Sequence, residues 1–367
     1  MNRTSIRRAL VPGVAVVALA AGLSACGAGN EASGSDSGLS GTLTGEGSSA
    51  QEAAQTAWRA GFQGDNSGVT VNYNPSGSGA GREKFIADAV DFAGSDSYLK
   101  DDEEATELTD ATKRCGGEDP IEVPAYVSPI AVVYNVKGVD NLQLSASTIG
   151  KIFNGKIATW NDPAIAEENP DATLPSTTIS PVHRSDESGT TENFTDYLEK
   201  ASDGGWPHPK DKVWPIKSGE AAQGTSGVIQ AVTEGDGTIG YADESQVGDL
   251  TVASIKVGDA YVAPSAEAAA KVVAVSPRVE GRPDVDMAID IDRTTTEAGA
   301  YPLVLASYLI ACQHYDDQGT ADLVKGYLTY VLSDDGQSTA AENAGSAPLD
   351  PALQDEATGI VENITKK

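Results

Sequence analysis

The chain has 367 residues, with 25 Lys and Arg against 54 Asp and Glu, a formal net charge of −29. That balance excludes nucleic-acid binding, which needs a Lys/Arg stripe along the phosphate backbone, and docking on anionic lipid through a basic face. A hydrophobic content of 40% is enough to bury real cores, in two domains or one large one at this length. Three Cys and three His exclude a disulfide-dense miniature and a His/Cys-rich metalloprotein, so the composition calls for no metal and no cofactor.

Arg3, Arg7 and Arg8 precede an apolar run over residues 9–23, broken by Pro12, Gly13 and Gly22. The run is too short and too rich in Gly and Ala to span a bilayer, so residues 1–25 read as an export signal. It ends in Leu23-Ser24-Ala25-Cys26, the pattern of a bacterial lipobox, in which Cys26 is acylated and becomes the first mature residue. Ordinary cleavage leaving Cys26 as a free thiol is the alternative. Residues 1–25 hold three Arg and no acid, so the mature chain carries net −32. Residues 26–38 continue as GAGNEASGSDSG after Cys26, a flexible tether with a mean span of about 20 Å. The predicted location is therefore extracytoplasmic, lipid-anchored to the cell membrane.

Residues 39–44 alternate and predict a strand, followed by a helix over 49–62 with Ala54, Trp58 and Phe62 on one face. A strand at 69–73, a helix at 82–90, a short strand at 90–94 and a charged helix over 101–114 come next. Residues 121–136 are strongly β-like, with Pro124 and Pro129 interrupting. A short helix is predicted at 147–153, and Asp162-Pro163 starts another as cap and first residue. A strand at 178–183 leads to helices at 190–200 and 219–234, then strands at 238–241 and 251–256. Residues 301–312 are an apolar run, and 320–332, 336–343 and 351–364 are helical. Strand and helix alternate, which predicts an α/β fold with a mainly parallel sheet.

Three turns share one chemistry. They are Gly45-Glu46-Gly47-Ser48-Ser49, Ser76-Gly77-Ser78-Gly79-Ala80-Gly81 and Asp186-Glu187-Ser188-Gly189-Thr190-Thr191, each between a strand and a helix start. A helix N-terminus offers N–H groups and partial positive charge, glycine lets the backbone approach, and hydroxyls add donors, so such turns suit anions. Any one of them is usually only a turn. Arg184, two residues before the third, brings a planar fork suited to an oxyanion, with a surface salt bridge to Asp186 as the plainer reading. Asp96, at the end of a short strand, fits beside an anion only if that anion carries a proton for it to accept; otherwise it is a cap. The first turn also fits the dinucleotide fingerprint G-x-G-x-x-A, a weak signal in an exported chain. No P-loop occurs.

In order, GEGSSA (45–50), VNYNPSGSGAG (71–81), VDFAGSD (90–96), IGKIFNGKIATWNDPAI (149–165), HRSDESGTT (183–191) and GTIGYAD (237–243) resemble the phosphate-binding proteins of bacterial phosphate ABC transporters, the Pst-type receptors. The resemblance runs from about Leu39 to the C-terminus. It implies a two-lobed, type II periplasmic-binding-protein-like fold with two hinge strands and phosphate between the lobes. Lobe one would be 39–127 with 300–367 and lobe two 128–299, with crossings near 126–129 and 299–303. It also implies phosphate contacts at Ser49, Ser78, Asp96, Arg184, Ser188, Gly189 and Thr190, with Asp186 orienting Arg184. Ser48-Ser49-Ala50 departs from the usual Ala-Thr-Phe of the family, and Glu46 adds an acid to the same turn.

Cys115 and Cys312 would both fall in lobe one. A lone pair outside the cell usually forms a disulfide, with two separate buried thiols as the alternative. The function implied is high-affinity binding of phosphate and its delivery to a membrane permease, by a monomer touching the membrane only through its lipid. Rival readings are a receptor for a sulfate-like oxyanion, an exported phosphatase or an adhesin. Catalysis is disfavoured, because G-x-S-x-G and H-E-x-x-H are missing and His183, His208 and His314 are scattered. His183 reads as a partly exposed strand-end residue.

Overall fold

The computed structural model describes residues 38–102 and 105–367. The export signal, Cys26 and residues 27–37 of the tether lie outside the described residues.

The chain forms β1 (Ser40–Gly47), α1 (Glu52–Asp65), β2 (Gly68–Asn74), α2 (Ser78–Ile86), β3 (Phe92–Ser95), α3 (Glu107–Arg114) and β4 (Ile121–Asn135). Next come β5 (Gln143–Leu144), α4 (Ala146–Phe153), α5 (Pro163–Glu168), β6 (Ser180–Arg184), α6 (Gly189–Ala201), β7 (Glu220–Ala222), α7 (Gly224–Glu234) and β8 (Thr238–Asp243). The remainder is β9 (Thr251–Val252), β10 (Ser254–Val257), β11 (Ala260–Val262), α8 (Ala266–Val275), β12 (Val304–Ala311), β13 (His314–Tyr315), α9 (Gln318–Leu332), α10 (Asp334–Ala344), α11 (Pro351–Val361) and β14 (Thr365–Lys366). Helix starts follow local chemistry. Asp162 and Asp350 accept from Ala164 and Ala352 N–H, each just ahead of a proline that needs no partner for its own nitrogen. The helices α1, α2 and α7 start without any side-chain cap.

One sheet runs through the body in the order β2-β1-β3-β12-β4-β8-β6-β7, with β9 also on β4. The expectation of a mainly parallel sheet needs correction. The outer pairs β1–β2, β1–β3, β6–β8 and β6–β7 are parallel, but β12–β3, β12–β4, β4–β8 and β4–β9 are antiparallel. Two of the antiparallel pairs come from β12, which returns late in the chain and inserts between β3 and β4 in the opposite sense, and the other two from β8 and β9, which run against β4.

The strand β4 is unbroken by its prolines. Residues 121–129 pair with β12, and from Ile130 onward the strand pairs with β8. Pro124 is accommodated by a register shift between Ser307 and Tyr308 that leaves Ala125 unpaired. Nearly every residue of β4 and β12 is buried, as expected of strands covered on both faces. A large core joins Trp58, Phe92, Tyr126, Tyr134, Trp160, Phe194 and Tyr327. A smaller one lies under α7, formed by Val133, Val182, Val228 and Val232.

Other expectations shift locally. The predicted helix at 219–234 is β7 followed by α7, and the strand at 251–256 is split into β9 and β10. The helix predicted from residue 82 starts at Ser78, and the charged one at Glu107. Cys115 and Cys312 are bridged, with Cα atoms 5.3 Å apart. The bridge ties the end of α3 to the residue after β12 and closes a loop across 197 positions. Its removal by Cys115→Ser with Cys312→Ser is expected to lower stability by about 2–5 kcal/mol, because a long loop is no longer constrained in the unfolded chain. Urea unfolding measures this, and matching midpoints for the two proteins would contradict it.

Candidate functional site

The first two turns are locked together. Gly47 has φ of +147°, and a Cβ there would sit 1.9 Å from the Gly94 carbonyl oxygen, so only glycine fits. Its own carbonyl accepts from Gly77 N–H at 2.8 Å. Gly81 packs on the same backbone, where a Cβ would meet Gly47 Cα at 2.4 Å. The starts of α1 and α2 are thereby set side by side at the ends of β1 and β3.

Asp96 follows β3 at this junction, 3% exposed. Its Oδ1 accepts from Ser48 Oγ at 2.5 Å and from Ser307 Oγ at 2.7 Å. Its Oδ2 accepts from Thr190 Oγ1 at 3.0 Å. Its backbone N–H donates to Ser78 Oγ at 3.1 Å, and its carbonyl accepts from Asn193 Nδ2 at 2.7 Å. Thr190 and Asn193 belong to α6, so this helix meets the junction at Asp96, through its carboxylate and its backbone carbonyl respectively. Gly189 sits against Ser78 and Asp96 with no room for a side chain.

Arg184 ends β6 with a buried side chain. Its Nε donates to Asp186 Oδ1 at 2.8 Å and its Nη2 pairs with Oδ2, the two-point geometry of a guanidinium on a carboxylate. Burial alone would raise the Asp186 carboxyl, but the hydrogen bonds and charge of Arg184 and the Gly224 N–H outweigh it and hold it below the usual range. The second turn backs this pair, since a Cβ on Gly77 would lie 2.5 Å from Asp186 Oδ2.

Ser49 Oγ lies 3.0 Å from Thr225 Oγ1 and accepts from Thr225 N–H at 3.1 Å. Ser188 caps α6, its Oγ accepting from Thr191 N–H, while its own N–H donates to the Lys212 carbonyl. Ser78, Asp96, Gly189 and Thr190 are thus joined by direct contacts, whereas Ser49 meets Thr225 at the start of α7. Ser188 adjoins them through the helix start and Arg184 through Asp186.

Sequence reasoning missed Ser48, Thr225, Asn193 and Ser307. Gly224-Thr225-Ser226-Gly227 is a fourth glycine-hydroxyl turn into a helix, a signal present in the sequence. Ser307 could be suspected only as a polar residue inside an apolar strand. His183 also differs from expectation, being buried rather than partly exposed. It stacks on Trp214 at 4.8 Å with Nδ1 on the Arg184 carbonyl, and burial pushes its imidazole down from the usual range.

Charges line the rim. Lys212 Nζ bridges Glu107 and Glu187, both at 3.0 Å, and Lys100 lies 3.6 Å from Glu192. Burial would raise Glu192, but Arg82, Lys100 and Lys210 hold it low.

A family model described as PBP superfamily domain matches residues 32–335. The Phosphate-binding protein PstS 3 of Mycobacterium tuberculosis is 38% identical over 357 residues, covering 92% of this chain and 94% of that protein. The Phosphate-binding protein PstS of Haemophilus influenzae is 29% identical over 308 residues, covering 82% of this chain and 87% of that protein. Among solved structures, a high affinity periplasmic phosphate-binding protein (PfluDING) bound with phosphate matches with a TM-score of 0.70 at 22% identity, covering 89% of this chain and 100% of that one. A phosphate-binding protein from Stenotrophomonas maltophilia matches with a TM-score of 0.66 at 21% identity, covering 87% and 93%. These structures carry the two-lobed α/β fold with a sheet bridging the lobes. With more than a third of its residues identical to a mycobacterial relative across almost the full length of both, the chain belongs to the PstS-type phosphate-binding proteins of the PBP superfamily.

Proposed function

We propose that the protein binds inorganic phosphate with high affinity outside the membrane and delivers it to the permease of an ABC transporter. It is a receptor and not an enzyme. The observation that carries the reading is the convergence on Asp96 of hydroxyl donors from separate parts of the chain, Ser48, Thr190 and Ser307, together with a guanidinium oriented by an Asp186 that lies against Gly77 of the second turn. The guanidinium and the N–H groups at the helix starts suit the oxygens of the anion, and the carboxylate that the hydroxyls hold suits its proton. We assign the contacts to Ser49, Ser78, Asp96, Arg184, Ser188, Gly189 and Thr190. The net charge of −29 repels an anion at long range, so affinity on this reading is local.

The finer architecture belongs to the same proposal. Lobe one comprises 39–127 with 300–367 and lobe two 128–299, in the type II arrangement, with hinges near 126–129 and 299–303. The change of partner along β4 after Pro129 supports the first crossing. Closure on the ligand then compacts the molecule. The protein acts as a monomer held by lipid on Cys26, and a Cys26→Ser variant is expected in the medium or as unprocessed precursor. A mature Cys26→Ser form still held in the membrane fraction would refute the anchor.

Equilibrium dialysis with radiolabelled phosphate, competed by sulfate, tests the function. Saturable phosphate binding that resists millimolar sulfate is expected. Equal displacement by sulfate would point to a general oxyanion receptor, and turnover of p-nitrophenyl phosphate to an enzyme.

A further inference from the structure

The direction of each hydrogen bond behind Asp96 is set by chemistry. Gln51 Nε2 lies 3.1 Å from the Tyr308 carbonyl, which can only accept, so the NH2 end of Gln51 faces that way. The same NH2 reaches Ser307 Oγ at 2.7 Å. Gln51 Oε1 accepts from Gln55 Nε2 at 2.9 Å, and Gln55 Oε1 accepts from the Tyr327 hydroxyl at 2.8 Å. All four side chains, Tyr327, Gln55, Gln51 and Ser307, are fully buried, so water offers no alternative partner. Ser307 has one proton and already receives one from Gln51. Its own proton therefore goes to Asp96 Oδ1. Ser48 is constrained in the same way: its Oγ accepts from Ala50 N–H at 3.0 Å, which directs its proton to the same Oδ1.

We propose that the chain Tyr327–Gln55–Gln51–Ser307, together with Ser48, holds Asp96 as a hydrogen-bond acceptor only, and that these positioning residues set the preference of the cleft for an oxyanion that carries a proton over one that carries none. Two imposed donors saturate Oδ1 and fix the carboxylate plane. Oδ2 is left facing α6, where it takes the Thr190 hydroxyl. A carboxylate so held accepts from the P–OH of phosphate and confronts a bare oxygen of sulfate with a lone pair. With a donor removed, the carboxylate plane is free to rotate and turn its lone pair away from the sulfate oxygen.

The inference rests on the phosphate reading above. The test is competition of radiolabelled phosphate by sulfate near pH 7 in wild type, Ser307→Ala, Ser307→Thr, Gln51→Met and Tyr327→Phe. In Ser307→Ala, phosphate binding is expected to weaken while sulfate gains at least tenfold relative to it. Ser307→Thr, which restores the hydroxyl, should keep the wild-type ratio. Gln51→Met, one link upstream, should shift it in the same direction by less. A packing defect would weaken both ions together, so equal weakening, or an unchanged ratio in Ser307→Ala, overturns the proposal. Should Ser307→Ala fail to fold, wild-type ratios in both Gln51→Met and Tyr327→Phe overturn it equally. A wild type that binds no phosphate overturns this proposal and the phosphate reading together. A wild type that prefers phosphate beside indifferent variants overturns this one alone.

Discussion

Replacing Arg184 with alanine is expected to weaken phosphate binding by at least ~3 kcal/mol, more than a hundredfold in Kd. Two effects add. A charge-assisted two-point donor is lost from a buried site. In addition Asp186, whose side chain is only 10% exposed, keeps its charge without the partner that neutralised it, and that charge then faces the anion. The second effect separates from the first. Arg184→Ala combined with Asp186→Asn should recover part of the loss, whereas Asp186→Asn alone should cost less than Arg184→Ala because the guanidinium remains. Titration calorimetry on the three variants measures the series. Wild-type affinity in Arg184→Ala would remove the residue from the site, and a double variant no better than the single one would remove the unpaired-charge argument.

Gly189→Ala is expected to abolish tight binding with little effect on the stability of the unliganded protein. A Cβ at this position would stand 2.6 Å from Ser78 Oγ and 2.8 Å from Asp96 Cβ, too close without movement of α2 or the end of β3. On the lobe division proposed above, both neighbours lie across the cleft from α6. The clash therefore exists only when the two sides meet, and a molecule that stays open avoids it. Alanine in the first turn of a helix is otherwise favourable by about 0.5–1 kcal/mol over glycine. Phosphate affinity should fall at least a hundredfold, and small-angle scattering should show no compaction at ligand concentrations that saturate the wild type. An alanine variant that binds and compacts like wild type would mean that the sides never approach this closely.

What could be read from the sequence depended on distance along the chain. Asp162-Pro163 at the start of α5 and the apolar face of α1 are contacts within a few residues, and both were visible. The pairing of Arg184 with Asp186 spans two positions and was visible as well. Residues 260–299 hold β11 and α8 but gave no expectation, since α8 is mostly Ala and Val and its pattern is not sharply periodic. The parallel bias of the predicted sheet failed because strand alternation cannot announce that β8, β9 and β12 all run against β4. Ser307 meets Asp96 across 211 positions, and Ser48 meets it across 48. No local spacing encodes those contacts. The family resemblance supplied Asp96 and the Thr190 hydroxyl that holds its Oδ2, but neither Ser48 nor Ser307 on Oδ1.

The late insertion of β12 also has a kinetic meaning. It lies between β3 and β4, yet more than 160 residues separate it from β4. Until residues 304–311 emerge from the export channel, β3 and β4 each present an unpaired edge, and the sheet is two fragments. Loop-closure entropy must be overcome before that strand can zip both together, which places this step among the slow events of folding. A chain that crosses a membrane N-terminus first thus cannot trap itself in a finished fold before about its last sixth arrives. Over the same interval the open edges are the part of the molecule most exposed to aggregation.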